Sequence, residues 1–523
     1  MKRRKFIGTG ITGGLLPLLL NGFSIRAMAD NPLLSFLGKA GNSDRVLVLI
    51  QLNGGNDGLN TVIPIDQYSN LTNARSNIII AQNKILALSG NDKTGLHPGL
   101  AEVRGLYDNG RVAIIQSVGY PNPDFSHFRS TDIWLTASDT NQFLDEGWMG
   151  RYLDTKYPGY PTGFPNTTYP DPPAIQIGAM VSPALQGQDG SFGMSISDPT
   201  AFYQFVSGTV DPAPNTPAGH ELTFIRLVTQ QTQLYSTSVK NAAQKATNIS
   251  TLYPAKGVNT LSDQLKIVAQ LIAGGLKTKV YMVSLGGFDN HSAQVVSGAT
   301  ETGTHATLLS KISVAVNAFQ DDLTKLGVAG RVMGMTFSEF GRRIKSNGSL
   351  GTDHGAAAPM FLFGEKVNGG IYGNNPTIAA SVGVNDNIPM QNDFRSVYAS
   401  IIKNWFEASS TELSTVMLKD FPILPFVNGA TGLETLIALD QQSVTAYPNP
   451  CRDYTSIRFN TTGGLLRIRL FNSNGQCIQT IAEATYPRGQ FEVMVNTTDL
   501  SSGLYYYQVQ LGDEQVMKNF LVV

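Results

Sequence analysis

Residues 331–364, RVMGMTFSEFGRRIKSNGSLGTDHGAAAPMFLFG, run from an apolar, β-rich stretch (331–337) into a polar loop, then into a second apolar stretch (360–363). The loop carries Ser338, Glu339, Asp353 and His354. Open α/β sheets deliver binding and catalytic groups at the carboxyl ends of their strands, so a strand, acid, histidine, strand order points to that architecture. Two earlier segments repeat the plan. Residues 46–52 form a strand-like run ending in Asn53-Gly54-Gly55-Asn56-Asp57-Gly58, and residues 280–285 form another ending in Gly286-Gly287-Phe288-Asp289-Asn290-His291.

The chain has 523 residues, enough for two or three domains with a large core. A formal net charge of −1 with 15% charged residues gives no electrostatic case for nucleic acid or an anionic membrane surface. The two cysteines, Cys451 and Cys477, both lie near the C-terminus, so the rest of the chain has no thiol chemistry or cysteine-ligated zinc. They read either as a disulfide, which an oxidising compartment allows, or as two small apolar thiols.

Lys2-Arg3-Arg4-Lys5, the apolar run 11–20 and Ala27-Met28-Ala29 form an export signal with cleavage before Asp30. The apolar run is about half the length of a membrane span, and no later run is long enough to cross. The mature chain is therefore expected to have no transmembrane helix. Arg3-Arg4-Lys5-Phe6-Ile7 resembles a twin-arginine (Tat) signal, a route for proteins folded before translocation.

From Asp30 to residue 437, strand-like runs, including 112–116, alternate with helical ones. Leu261, Leu265, Val268, Ile272 and Leu276 mark one amphipathic helix; Leu308, Ile312, Val316, Phe319, Leu323 and Leu326 mark another. The second lies between the Asp289 and Glu339 strands and predicts a βαβ unit. Residues 157–173 and 212–217 read as irregular surface excursions. The expected fold is α/β: a doubly wound α/β/α sandwich. After residue 437 the texture becomes short alternating strands (456–460, 466–470, 491–495, 505–511, 516–522) separated by turns, as in a small all-β sandwich. The boundaries drawn are a signal peptide at 1–29, an α/β domain at 30–437, a linker at 438–445 and a β domain at 446–523.

That last domain, with Tyr447-Pro448-Asn449-Pro450, Phe471-Asn472-Ser473-Asn474-Gly475, Asp499-Leu500-Ser501-Ser502-Gly503-Leu504-Tyr505 and Lys518 before a terminal apolar strand, resembles the type A C-terminal sorting domain of the type IX secretion system. The resemblance implies export through the periplasm and across the outer membrane by that machinery, then release or attachment at the cell surface.

Each candidate for chemistry also has a plain structural reading. Asp57 follows two glycines that let the backbone turn tightly, and its carboxylate suits a hard metal ion; Asn-Asp-Gly is equally an Asx turn. Asp289 and His291, one residue apart, point the same way in extended backbone and make an oxygen/imidazole half-site for a divalent ion. Glu339 is a ligand candidate or a salt-bridge partner of Arg342 or Arg343, either of which could instead clamp an anion. His354 beside Asp353 places one group on a metal and the other behind it. Ser126 falls at a helix start, where free N–H groups favour an anion, and is either a nucleophile or a simple cap.

Together, GGNDGLNT (54–61), SHFRSTDIW (126–134), GRYLD (150–154), GGFDNHS (286–292), SEFGRR (338–343), GTDHGAAAP (351–359) and DFRSVY (393–398) resemble the DUF1501 family, which groups with the alkaline phosphatase/sulfatase superfamily. The resemblance implies an alkaline-phosphatase-like sandwich and a two-metal site. Carried over, Asp57 is the early aspartate, Ser126 the nucleophile, and Asp289 with His291 the mid-chain pair. Asp353-His354 is the late Asp-His pair, or else Ser338-Glu339-Phe340-Gly341 takes that place and His354 is the final histidine. The second alignment puts Phe340 where the superfamily has a ligand histidine, which weakens one metal position.

The resulting expectation is a secreted hydrolase of phosphate or sulfate esters, acting on a small molecule or a glycan. It would depend on divalent ions (Zn, Mg, Ca or Mn) held by Asp57, Asp289, His291, Glu339, Asp353 and His354. Ser126 would attack, and Arg129, Arg342 or Arg343 would hold the non-bridging oxygens. The alternative is a catalytically inactive metal- or glycan-binding surface protein on the same fold.

Overall fold

The computed structural model describes residues 44–197, 216, 219, 234–427 and 444–523, less 462–463, 474, 487–488 and 512–513. The expected export signal, nearly all of the expected break at 212–217 and most of the expected linker at 438–445 lie outside the described residues.

Nine strands form the main sheet. Its centre is Val46–Asn53, paired in parallel with Val280–Gly286 on one side and Val332–Phe337 on the other. Beyond Val280–Gly286 come Ala174–Ile177 and Gly193–Ile196; beyond Val332–Phe337 come Ala358–Phe363, Val112–Gly119 and Gly370–Tyr372. Asn392–Asp393 also pairs with Val112–Gly119. Among these strands Ala358–Phe363 alone runs antiparallel to its neighbours.

A strand covered on both faces needs apolar side chains at successive positions rather than alternating ones, and VLVLIQLN supplies them. Val46, Val48, Ile50 and Leu52 pack into one core with Thr260–Ala273 and Thr304–Lys325, while Leu47 and Leu49 pack into the other with His127–Thr136, Trp148–Lys156 and Phe394–Ser400. The result is an α/β/α sandwich. Both helices expected from their apolar period are present, burying Leu261, Leu265, Val268 and Ile272 in one and Leu308, Ile312, Val316, Phe319 and Leu323 in the other. The unit Val280–Gly286, Thr304–Lys325, Val332–Phe337 differs from a simple βαβ in one respect: its strands are not neighbours but flank Val46–Asn53.

Register fixes where the loops begin. Asn53 lies opposite Gly286 and Gln51 opposite Phe337, so three loops leave one edge of the sheet together. The antiparallel strand enters at the same edge, with Ala358 opposite Val118. The intervening polar stretch is not an open loop. Gly341–Ser346 and Thr352–Gly355 form an antiparallel hairpin that sets Arg342 opposite His354.

The C-terminal residues form two antiparallel sheets. One contains Thr445–Tyr447, Tyr454–Thr461 and Gly489–Asn496; the other contains Cys477–Tyr486, Gly464–Phe471, Gly503–Leu511 and Glu514–Val522. They enclose a separate core that includes Ile457, Phe459, Ile468, Val509 and Phe520. Cys451 is buried, Cys477 is exposed, and both are free thiols.

Candidate metal centre

Two glycines shape the edge of the sheet. Gly54 has φ +121°, and a Cβ there would lie 2.3 Å from the Asp289 backbone nitrogen; Gly55 has φ +82°, and its Cβ would lie 2.4 Å from the Phe340 ring. The turn after Val46–Asn53 can therefore press against the Asp289 loop only without side chains.

Under this turn lies Arg342, whose side chain is 1% exposed. Its guanidinium donates from Nε to the Gly55 carbonyl (2.7 Å) and from Nη1 to the Thr352 carbonyl (2.8 Å). Nη2 reaches the Gly54 and Phe288 carbonyls and Asp289 Oδ1, the last at 2.8 Å. Arg342 is thus consumed in tying three loops together and orienting Asp289. Buried and engaged in these five bonds, it does not stand open as the anion clamp expected of it.

Asp289 is the centre of the arrangement. His291 Nε2 is 3.1 Å from its Oδ1, His354 Nε2 is 3.2 Å from the same oxygen, and His127 Nε2 is 3.5 Å from Oδ2. His291 Nε2 and His354 Nε2 are 2.9 Å apart. Each imidazole has its other nitrogen on an oxygen: His127 Nδ1 on Glu339 Oε1 (2.9 Å), His291 Nδ1 on Asp353 Oδ1 (3.2 Å), and His354 Nδ1 on the Phe125 carbonyl (2.8 Å). Each Nδ1 thus lies on an oxygen acceptor and each Nε2 is directed at Asp289; in the tautomer with its hydrogen on Nδ1, a ring turns a free lone pair toward Asp289.

Burial works to raise the Asp289 pKa, but hydrogen bonds from Arg342 and His354 outweigh it and hold the carboxyl at about 2. Burial also pushes His354 below the ordinary histidine range, against the opposing pull of the Phe125 carbonyl and Asp289. Neutral imidazoles and an ionised carboxylate are the forms that bind a metal.

This donor set fits a metal ion. A carboxylate or carbonyl behind each imidazole is the usual outer shell of a metal-bound histidine, and three Nε2 atoms directed at one carboxylate offer converging donors. Ligands held about 2.1 Å from an ion at right angles lie about 3 Å apart, close to the 2.9, 3.1 and 3.2 Å separations of His291, His354 and Asp289. His127, Asp289 and His354 also offer atoms within 4.8 Å of one another.

The expected site residues thus divide. Asp289, His291 and His354 converge. Glu339 and Asp353 stand one layer behind, orienting His127 and His291; Glu339 Oε1 also accepts from the Gly54 N–H at 2.7 Å. Asp57 is elsewhere: 3% exposed, it receives Arg75 Nη1 on both oxygens (3.0 and 2.9 Å) and Gln294 Nε2 at 2.6 Å. Burial would raise its pKa, but Arg75, His305 and Gln294 together lower it. Arg129 points away from the centre, to Asp132 and to the carbonyls of Asp139, Thr140 and Gln142.

Ser126 is the N-cap of His127–Thr136, exposed, with no capping bond from its side chain. It is bracketed by two tethered residues, since the Phe125 carbonyl holds His354 and His127 holds Glu339. His127 itself was not singled out as a ligand, although it follows Ser126 directly in SHFRSTDIW; a histidine in the first turn of a helix that starts at the sheet edge was the available signal. Phe340 is buried against the rings of His354 (4.3 Å between centroids) and His127 (4.9 Å).

The fold and site define an α/β/α protein with a histidine-rich, metal-suited centre at the carboxyl edge of its sheet. Residues 225–400 match the family described as "Protein of unknown function (DUF1501)", and residues 445–523 match the "Secretion system C-terminal sorting domain". The chain therefore carries a DUF1501 segment followed by a sorting domain. That tail indicates interaction with the type IX machinery, and export with secretion or cell-surface attachment. Among the described residues no helix is long and apolar enough to cross a membrane.

Among solved structures, the chain is similar to PorZ, a surface component of the type IX secretion system of Porphyromonas gingivalis (17% identity, TM-score 0.13), spanning 16% of this chain and 12% of that one. It is similar to a protein in the alkaline phosphatase superfamily from Vibrio parahaemolyticus (8% identity, TM-score 0.31), covering 84% of this chain and 82% of that chain. It is also similar to the PsFucS1 sulfatase from Pseudoalteromonas sp. (9% identity, TM-score 0.31), covering 89% and 86% respectively. No curated protein matches the chain.

Proposed function

We propose that the mature protein is an exported, metal-dependent hydrolase of phosphate or sulfate esters, with residues 30–437 as the catalytic domain and 446–523 as the address. The observation that carries the reading is the orientation of three imidazoles, each with Nδ1 on an oxygen acceptor and Nε2 directed at Asp289. His127, His291, His354 and Asp289 would hold one divalent ion, and a nitrogen-rich set favours zinc or a similar transition metal over calcium or magnesium. When bound, such an ion supplies Lewis acidity at an ester oxygen.

The protein's own groups supply the rest. Ser126 offers a hydroxyl and the first turn of a helix offers backbone N–H groups and a favourable dipole for an anionic ester. Displacement by Ser126 Oγ at phosphorus or sulfur would expel the alcohol and leave a serine ester for water to cleave. With Arg129 and Arg342 committed elsewhere, the anion's charge falls to the helix terminus and the ion.

A second reading, metal binding without turnover, is favoured by two observations. Phe340 fills the space against His127 and His354, and Asp57 is paired with Arg75, so neither supplies a ligand for a second ion. Metal analysis of the purified mature protein with a chromogenic phosphate and sulfate ester panel tests both. One ion per chain with cleavage of any ester supports the hydrolase. An ion with no cleavage selects the second reading, and a protein that binds no divalent ion defeats both.

A further inference from the structure

Of the three acceptors behind the imidazoles, Glu339 and Asp353 are side chains, but the third is main chain. The Phe125 carbonyl lies on His354 Nδ1 at 2.8 Å. It belongs to residues 120–126, which form neither helix nor strand between Val112–Gly119 and His127–Thr136. A loop carbonyl can hold a ring in place only if the loop is itself fixed. Two buried hydroxyls fix it: Tyr120, 3% exposed, is the first residue after the strand, and Ser130, fully buried, is the fourth of the helix. The Tyr120 hydroxyl accepts from the Asp124 N–H at 3.1 Å and lies 2.8 Å from Ser130 Oγ. Both hydroxyls reach the Asp124 carbonyl, Tyr120 at 3.2 Å. The Asp124 carboxylate in turn accepts from the Ser126 N–H at 2.7 Å. Phe125 is thereby held from both sides. The Tyr120 ring packs edge-on against Phe394, 6.0 Å between centroids, and burial pushes its pKa up, so the hydroxyl keeps its hydrogen.

Resting on the metal-dependent reading, we infer that Tyr120 is a positioning residue for the centre. Its hydroxyl, with that of Ser130, sets the Phe125 carbonyl behind His354 and seats the backbone of Ser126. It acts through residues 124–126 rather than on the ion or the ester. A buried polar network whose members are all partnered rigidifies what it touches. The outer partner of a metal-bound histidine is worth about 10- to 100-fold in metal affinity. Here that partner is a carbonyl on an irregular segment, so its effect depends on the hydroxyls one step further back. The same pair thus governs a ligand's ring and the attacking serine together.

Zinc affinity of the full mature protein, measured by competition with a chromogenic chelator, tests this without any ester. Tyr120→Phe is expected to bind zinc about tenfold more weakly than the wild type, and Ser130→Ala to weaken it in the same direction. Tyr398→Phe is the control for lost stability alone. It removes another buried hydroxyl, one that donates to the Trp134 carbonyl at 3.1 Å, and is expected to keep wild-type zinc affinity. Where esters are cleaved, kcat of Tyr120→Phe should fall about tenfold with KM little changed. Wild-type zinc affinity in both Tyr120→Phe and Ser130→Ala overturns the positioning role. Equal losses in Tyr120→Phe and Tyr398→Phe, or a wild type that binds no zinc, overturn it as well. Ester cleavage with zinc affinity and kcat unchanged in Tyr120→Phe removes the positioning role and leaves the hydrolase. The expected loss of zinc affinity in a protein that cleaves no ester keeps the hold on His354 and removes the hydrolase.

Discussion

His291 Nε2 and His354 Nε2 face each other across 2.9 Å, with Asp353 and the Phe125 carbonyl behind them on the two Nδ1 atoms. In the proposed centre a divalent ion takes both nitrogens. His291→Ala is expected to abolish stoichiometric metal binding in equilibrium dialysis, and Asp353→Asn to weaken it about 10- to 100-fold by loosening the ring behind the ligand. Unchanged affinity in both variants would remove the metal centre.

Ser126→Ala is expected to abolish ester turnover while metal content stays at the wild-type value. Its side chain makes no capping bond, so the stability change should fall below the ~1 kcal/mol typical of a working cap. Turnover that survives would assign the attack to water and discard the serine ester.

Asp57→Asn separates structure from ligation. Removing the carboxylate charge leaves Arg75, fully buried, without its counter-ion, which costs about 3–5 kcal/mol. Urea unfolding should register that loss while the folded variant still binds its ion. A variant of normal stability that no longer binds metal would make Asp57 a ligand after all.

Acid sensitivity should arise behind the site. Burial pushes His97 down to about 3 and His305 to about 4, against an ordinary histidine value of about 6.5. Between those values the unfolded chain binds protons that the folded chain does not, so stability rises with pH and is lost progressively as pH falls below about 6.5 toward 3–4. Each histidine adds a slope of up to about 1.4 kcal/mol per pH unit. His305→Gln, which can still donate to Asn56, should flatten the urea midpoint against pH over this window; an unaltered profile would acquit His305.

Deleting residues 441–523 is expected to leave a folded protein that still binds its ion, because the tail has its own core around Ile468 and Val509, and to stop delivery to the cell surface. Outright unfolding of the truncated chain, seen by circular dichroism, would show that the boundary is misplaced.

The sheet edge was legible because apolar runs and Gly-Asp turns are local signals: the strands at 46, 280 and 332, the two long helices and the placement of Asp289, His291 and His354 all followed from them. The roles of the remaining polar residues were not, because they depend on partners distant in sequence. Asp57 reads as a ligand until Arg75 reaches it across the Tyr68–Arg75 helix. Glu339 and Asp353 read as ligands because nothing local says that His127 and His291 occupy their oxygens. Arg342 reads as an anion clamp because its five bonds run to carbonyls and a carboxylate on other segments. The Gly341–Gly355 hairpin lacks the apolar alternation that marks a strand, and Arg342 anchors it instead.

The placement of Val46–Asn53 at the middle of the sheet governs how the molecule comes into being. This buried, largely apolar strand precedes both of its partners in the chain, which begin at residues 280 and 332. During synthesis it must wait, unpaired and sticky, for most of the domain to appear, and closure of so distant a pairing is intrinsically slow. The pairing of this strand is complete only once Val332–Phe337 has been made, and a route that requires a finished fold must wait longer still, for the Ala358–Phe363 strand of the same sheet.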